Sequence, residues 1–153
     1  MNPGLEPNTF LSSSWDSTAR LWDWSKKSTE LTYTGHEASV WSVLQLSPDV
    51  VVTASADKTI KVWSRKTGHC QSTLTGLYIS FLLFIINCGM QPLICYTFFF
   101  TGHTDCVRAL ASISDREFYS CANDATIRRW SISGDCLEIH YGHPNFVYRY
   151  ELE

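Results

Sequence analysis

Between Thr67 and Thr104 the chain has no aspartate, glutamate, lysine or arginine, although it carries 12 basic and 15 acidic residues elsewhere. It has no C-x-x-C pair among its six cysteines, which removes the spacing a zinc site or a redox pair would need. Cys106, Cys121 and Cys136 therefore read as small buried hydrophobes. A net charge of −3 with no basic stripe argues against a nucleic-acid partner and against a polybasic membrane surface. Met1 to Asn8 has no basic n-region and no apolar h-region, so no signal peptide is expected. A reducing compartment follows, the cytoplasm and the nucleus, in which disulfides do not form. No G-x-S-x-G nucleophile elbow and no cofactor motif occurs, so neither catalytic residues nor cofactors nor a metal are expected. With 44% apolar and 14% aromatic residues, the chain still has the composition of a folded protein.

What is present is repetition. Gly35-His36 followed by Ser55-Ala56-Asp57-Lys58-Thr59-Ile60-Lys61-Val62-Trp63 recurs as Gly102-His103 followed by Ala122-Asn123-Asp124-Ala125-Thr126-Ile127-Arg128-Arg129-Trp130. A copy without the Gly-His pair reads Ser14-Trp15-Asp16-Ser17-Thr18-Ala19-Arg20-Leu21-Trp22, and a further copy opens at Gly142-His143. In the first three copies Asp precedes Trp by six residues. That is the punctuation of WD repeats, the blades of a β-propeller. Short runs such as Val40 to Leu46, Val50 to Ala54, Thr59 to Trp63 and His69 to Leu74, separated by Ser-Pro-Asp, Ala-Asp-Lys and Thr-Gly turns, predict four strands per copy. The first copy lacks its opening strand and starts near Thr9.

Asp57 follows Asp16 by 41 residues, an ordinary period, but Asp124 follows Asp57 by 67. The surplus of 26 lies between Leu77 and Gly102. As a helix, Tyr78 to Phe100 would reach about 34 Å, enough to cross a bilayer. Asn87, Gly89, Gln91 and Pro92 interrupt it, no Lys or Arg flanks it closely, and a span here would separate blades that must pack together. A membrane-anchored fragment through residues 78–100 is therefore the lesser reading, and a membrane location the alternative to the cytoplasm. Phe98-Phe99-Phe100 ahead of Thr101-Gly102 implies a pyrimidine run before an A-G junction, as at the translated end of a retained intron.

The chain is expected to be all-β, a partial WD-repeat propeller of about two and a half to three blades with an apolar insertion between blades. Its parts are an unmatched segment 1–8, a partial first blade 9–34, a second blade 35–76, the insertion 77–102, a third blade 103–141 and the start of a fourth, 142–153. A propeller closes with about four to eight blades, so the sequence reads as a fragment.

His, Ser and Asp in one motif suggest a hydrolase triad, but a triad occurs once per site and these recur per blade. The likeness to WD blades implies a hydrogen-bonded chain of His, Asp, a strand hydroxyl and Trp. Its members here are His36, Ser55, Asp57 and Trp63 in the second copy and His103, Asp124 and Trp130 in the third. The first copy contributes Asp16 and Trp22. Ala122 stands where Ser55 stood, so either Ser120 supplies the hydroxyl of the third or that network is shorter. Arg129 occupies the apolar position of Leu21 and Val62, and reads either as a structural ion-pair partner, the favoured reading, or as a contact displayed at the blade edge.

Several strings resemble the propeller of the phospholipase A-2-activating protein family: Ser14-Trp15-Asp16, Gly35-His36 with Val40-Trp41, Ser55 to Lys61, Ser120 to Trp130, and Gly134 to Glu138 with Tyr141-Gly142-His143 and Tyr148. The resemblance covers about 9–76 and 102–148. It implies a non-enzymatic adaptor in ubiquitin-dependent degradation and ubiquitin recycling, with ubiquitin as the propeller's partner. The family's second ubiquitin-binding domain and the helical domain that docks on the valosin-containing AAA segregase have no counterpart in this sequence. A generic WD scaffold with another partner is the alternative. Propellers bind on the rim beside each Gly-His and each Asp, which singles out Trp15, Trp41, Arg108 and Asn123. Each of the four reads equally well as an ordinary blade residue.

Overall fold

Each Asp of the repeat closes a tight turn, and that turn sets the strand pattern. Asp16, Asp57 and Asp124 each accept, on Oδ1, the backbone N–H two residues on, that of Thr18, Thr59 and Thr126. The intervening Ser17, Lys58 and Ala125 adopt left-handed φ of 68°, 71° and 64°. Such a turn reverses the chain between two strands. The computed structural model describes residues 2–3, 8–75, 84–86, 93–95 and 102–148.

Three antiparallel four-stranded sheets result. The first is β1 (Asn2–Pro3), β2 (Thr9–Ser13), β3 (Thr18–Asp23) and β4 (Ser28–Thr34). The second is β5 (Val40–Ser47), β6 (Val50–Ser55), β7 (Ile60–Ser64) and β8 (Cys70–Leu74). After a separate hairpin of β9 (Phe84–Ile86) and β10 (Leu93–Cys95), the third follows as β11 (Val107–Ser112), β12 (Glu117–Ala122), β13 (Thr126–Ser131) and β14 (Cys136–Tyr141). In every sheet the order along the chain is the order in space.

Two differences from the sequence expectation stand out. The first sheet has an opening strand, because Asn2 and Pro3 pair with Leu11 and Phe10. This satisfies the outer backbone groups of β2, and a proline is tolerated on such an edge. Within the insertion, β9 and β10 pair antiparallel, Leu93 opposite Ile86 and Cys95 opposite Phe84, which one continuous helix over 78–100 does not allow. Among the described residues no helix is long and apolar enough to cross a membrane. The remainder of the insertion, including the Phe98-Phe99-Phe100 run, lies outside the described residues.

The core sits between sheets. Leu11, Ala19, Leu21 and Tyr33 of the first sheet pack on Val43, Val51 and Trp63 of the second. The second sheet's opposite face, Val50, Val52, Ala54, Ile60, Val62 and Leu74, packs on Val107, Phe118 and Trp130 of the third. Burying large apolar side chains of this kind stabilises by about 1.5 to 3 kcal/mol each. The four described cysteines are free thiols, and burial pushes that of Cys121 up to about 11, consistent with a packing role.

Arg129 occupies the strand position of Leu21 and Val62, but the structure leaves it partly exposed. It donates to Glu117 from Nε and Nη2 at 2.9 and 2.6 Å and to Glu138 from Nη1 at 2.9 Å. Glu117 and Arg129 replace Val50 and Val62, so the third sheet's outer face carries a charge network where the second sheet's is apolar.

Candidate functional site

Inside the second and third blades the same side chains meet in the same way. Trp63 Nε1 donates to Thr53 Oγ1 at 2.8 Å, Thr53 lies 2.7 Å from His36 Nε2, and His36 Nδ1 lies 2.7 Å from Asp57 Oδ2. In the third blade Trp130 Nε1 donates to Ser120 Oγ at 2.8 Å, Ser120 lies 2.6 Å from His103 Nε2, and His103 Nδ1 lies 2.8 Å from Asp124 Oδ2. An ionised Asp can only accept, so the imidazole Nδ1–H donates to it and Nε2 accepts the hydroxyl proton. Each chain runs in one direction from indole to carboxylate with every member satisfied.

The hydroxyl in the second blade is Thr53 and not Ser55. Ser55 lies two residues further along β6 on the same side, and its Oγ instead donates to Ala38 O and accepts Asp57 N–H. Ser12, Thr53 and Ser120 stand 41 and 67 residues apart, the repeat spacing itself, and that signal identifies the position. In the first sheet Trp22 donates to Ser12 at 2.8 Å, whereas Asp16 is exposed and pairs with Thr18 and Arg20. With no Gly-His in that copy, Asp16 and Trp22 are not joined.

Electrostatics follow the geometry. Burial would raise the Asp57 and Asp124 carboxyls, but hydrogen bonds from the histidine, the following threonine and backbone N–H groups outweigh it and hold both well below the usual carboxylate range. Burial pushes His103 down, against the pull of Asp124. Thr53 and Ser120 are wholly buried, so no hydroxyl of these chains faces a substrate. Gly35 sits at φ 144°, where a Cβ would stand 3.3 Å from the Trp63 indole, so that glycine lets the turn close over the ring.

The rim is a second assembly. The pairing of β5 with β6 skips from Val40 to Ser42, and that of β11 with β12 from Val107 to Ala109. Trp41 and Arg108 are the extra residues of these bulges, and a bulge re-aims its side chain. All four rim candidates come together. Trp15 meets Trp41 edge-on with ring centroids 5.5 Å apart, and the Arg108 guanidinium lies 4.6 Å from the Trp41 ring. Arg108 Nε donates to Asn123 Oδ1 at 2.9 Å. Tyr148, absent from the sequence candidates, completes the row 5.6 Å from the guanidinium, and Phe146 packs against it. The repeat spacing carries this too, since 41, 108 and 148 are equivalent positions. Val147 N–H bonds Ala122 O, as Val40 N–H bonds Ser14 O. Trp15 is 77% exposed and Tyr148 63%.

The WD domain, G-beta repeat family matches residues 6–23, 27–64 and 94–131. The chain belongs to this WD-repeat family. Among WD-repeat proteins it is similar to the ubiquitin fusion degradation protein 3 homolog of Caenorhabditis elegans, 32% identical over 81% of this chain and 12% of that protein. It is also similar to the ubiquitin homeostasis protein lub1 of Schizosaccharomyces pombe, 35% identical over 74% of this chain and 17% of that one. These are relatives of the phospholipase A-2-activating family that the repeat strings resemble. The crystal structure of the WD40 β-propeller domain of Doa1 superposes with a TM-score of 0.69 at 32% identity, covering 94% of this chain and 40% of that one. The chain thus spans under a fifth of those two relatives and less than half of the propeller structure.

Proposed function

We propose that this WD-repeat chain is a non-enzymatic interaction module of the ubiquitin pathway and that its rim row binds ubiquitin. The supporting observation is the row itself. Trp15, Trp41, Arg108 and Tyr148 come from successive repeats yet form one connected surface. Trp, Tyr and Arg are the residue types that carry binding energy at interfaces. The names of the relatives, which speak of ubiquitin fusion degradation and ubiquitin homeostasis, supply the partner. A place of action in the cytoplasm and nucleus goes with that partner. The row is short, so affinity rests on a few contacts and the complex is weak.

Titrating isotope-labelled ubiquitin with the full chain tests this reading. Shifts confined to one face of ubiquitin are expected, weakened about tenfold by Trp15→Ala or Trp41→Ala, the effect of a modest hot spot. No perturbation at millimolar concentration rejects ubiquitin as partner, and unchanged binding by both variants rejects the row as its site.

A further inference from the structure

We infer that Arg108 is the anchor for a carboxylate on the protein that docks on the rim, an acidic side chain flanked by apolar ones. The inference rests on the reading of the row as an interaction surface and adds the chemistry of what that surface selects.

A guanidinium has two flat faces and five N–H donors. The guanidinium of Arg108 lies over the Trp41 and Tyr148 rings at 4.6 and 5.6 Å, and Asn123 takes the Nε–H at 2.9 Å. The terminal Nη1 and Nη2 have no hydrogen-bond partner among the described residues. Of the acidic groups nearest in sequence, Asp105 Oδ1 accepts the Cys106 N–H and Asp124 is held by His103 and Thr126, and neither pairs with Arg108. The side chain is therefore held by three contacts with its two-nitrogen edge left over. That edge matches a carboxylate, which accepts two parallel N–H bonds. Arg129, 21 residues on, shows the contrast, since its donors are spent on Glu117 and Glu138.

The surroundings select among anions. One cation set among aromatic rings matches one negative charge beside apolar side chains. A phosphate, with up to two charges, calls for a cluster of arginines or an array of backbone N–H groups, and the row has a single cation. A nucleic-acid strand would need a basic groove to follow its backbone, and the chain's net charge is −3.

The test uses the full chain with two probes: ubiquitin, and a pair of capped peptides alternating leucine with glutamate in one and with glutamine in the other. The native chain is expected to prefer the glutamate peptide by about tenfold, the scale of a charge-assisted hydrogen bond, and to lose that preference as salt is added. Arg108→Gln abolishes the preference. Arg108→Lys keeps the charge and, lacking the planar fork, loses most of it, so a folding defect in the first variant does not blunt the test. In the ubiquitin arm, replacing surface carboxylates one at a time by amides should find one whose loss matches Arg108→Gln and adds nothing to it. Equal binding of the two peptides by the native chain overturns the inference, as does an intact preference in Arg108→Gln or tighter binding of an oligothymidine than of the glutamate peptide. A glutamate preference without ubiquitin binding sustains the carboxylate site and removes ubiquitin as the partner. Ubiquitin binding with no peptide preference does the reverse.

Discussion

His36 and His103 occupy one position in two blades and make the same contacts. Trp41 and Arg108 also share a position and make different ones. The histidines lie inside, each bridging a hydroxyl to a carboxylate. The rim residues lie at bulges, where the strand has no partner opposite. A buried polar chain must have every member satisfied, so its composition is tightly constrained from blade to blade. A rim position has no such obligation, and Trp, Arg and Tyr succeed one another at this place in the repeat. Sameness within the repeat marks what holds the blades together, and difference marks the positions proposed to face a partner.

The comparison breaks most sharply at the two tryptophan classes. Trp63→Ala should cost about 3 to 5 kcal/mol in denaturant unfolding, as a large buried aromatic does. Trp15→Ala, at an exposed site, should change stability by no more than about 0.5 kcal/mol while weakening binding. Similar losses of stability at both would erase the distinction between interior and rim.

Within the interior, the choice of hydroxyl is testable. Thr53→Val leaves Trp63 Nε1–H and His36 Nε2 unpaired and should cost about 1 to 3 kcal/mol. Ser55→Ala, which makes the second blade resemble the third at Ala122, should cost about 1 kcal/mol. The reverse order would return Ser55 to the hydrogen-bonded chain. Coupling is the second mark: in a cycle of His36→Ala and Asp57→Ala the effects should depart from additivity by more than about 0.5 kcal/mol.

Acid should separate two kinds of group. His103 has its folded value pushed below the ordinary 6.5, so the unfolded chain takes up its proton first and stability falls as pH drops below about 6.5. Asp57 and Asp124, held below their ordinary 3.8, contribute fully above that value and lose their contribution as pH falls through the folded values. Melting midpoints should therefore decline first below pH 6.5 and again below about 4. His103→Gln should flatten the first decline and, because His103 helps hold Asp124 down, reduce the second, which Asp57 still carries. An unchanged first decline would assign it to another group.

The smallest effect lies in the turns. Ala125 holds φ at 64°, a conformation that costs an ordinary residue about 1 to 2 kcal/mol, so Ala125→Gly should stabilise by about 0.5 kcal/mol once the glycine's greater unfolded-state entropy is offset. A loss of stability would show that the turn is not strained.

Two spacings, 41 and 67, make the repeat legible, because a repeat that buries its faces against its neighbours must keep its turn residues and its Trp in step. His, Asp and Trp were legible for the same reason, and so were the four rim candidates as positions. The pattern points to Ser55 where the structure has Thr53, because both hydroxyls lie on β6 two residues apart and only packing decides which one the Trp63 indole and the His36 ring enclose. The two-residue strand β1 escaped notice because so short a segment has no periodicity, and it forms only because β2 has unpaired backbone groups to satisfy. Arg129 could be read as needing a partner, but Glu117 and Glu138 come from the neighbouring strands and are brought to it by register. The rim row shows the division most clearly. Sequence alone determined which residues stand beside each Gly-His and each Asp. Tertiary structure made them one surface, since bulges in separate sheets turn Trp41 and Arg108 toward each other and the return of the chain at Val147 sets Tyr148 over the guanidinium, contacts between residues 40 and more positions apart that no local pattern encodes.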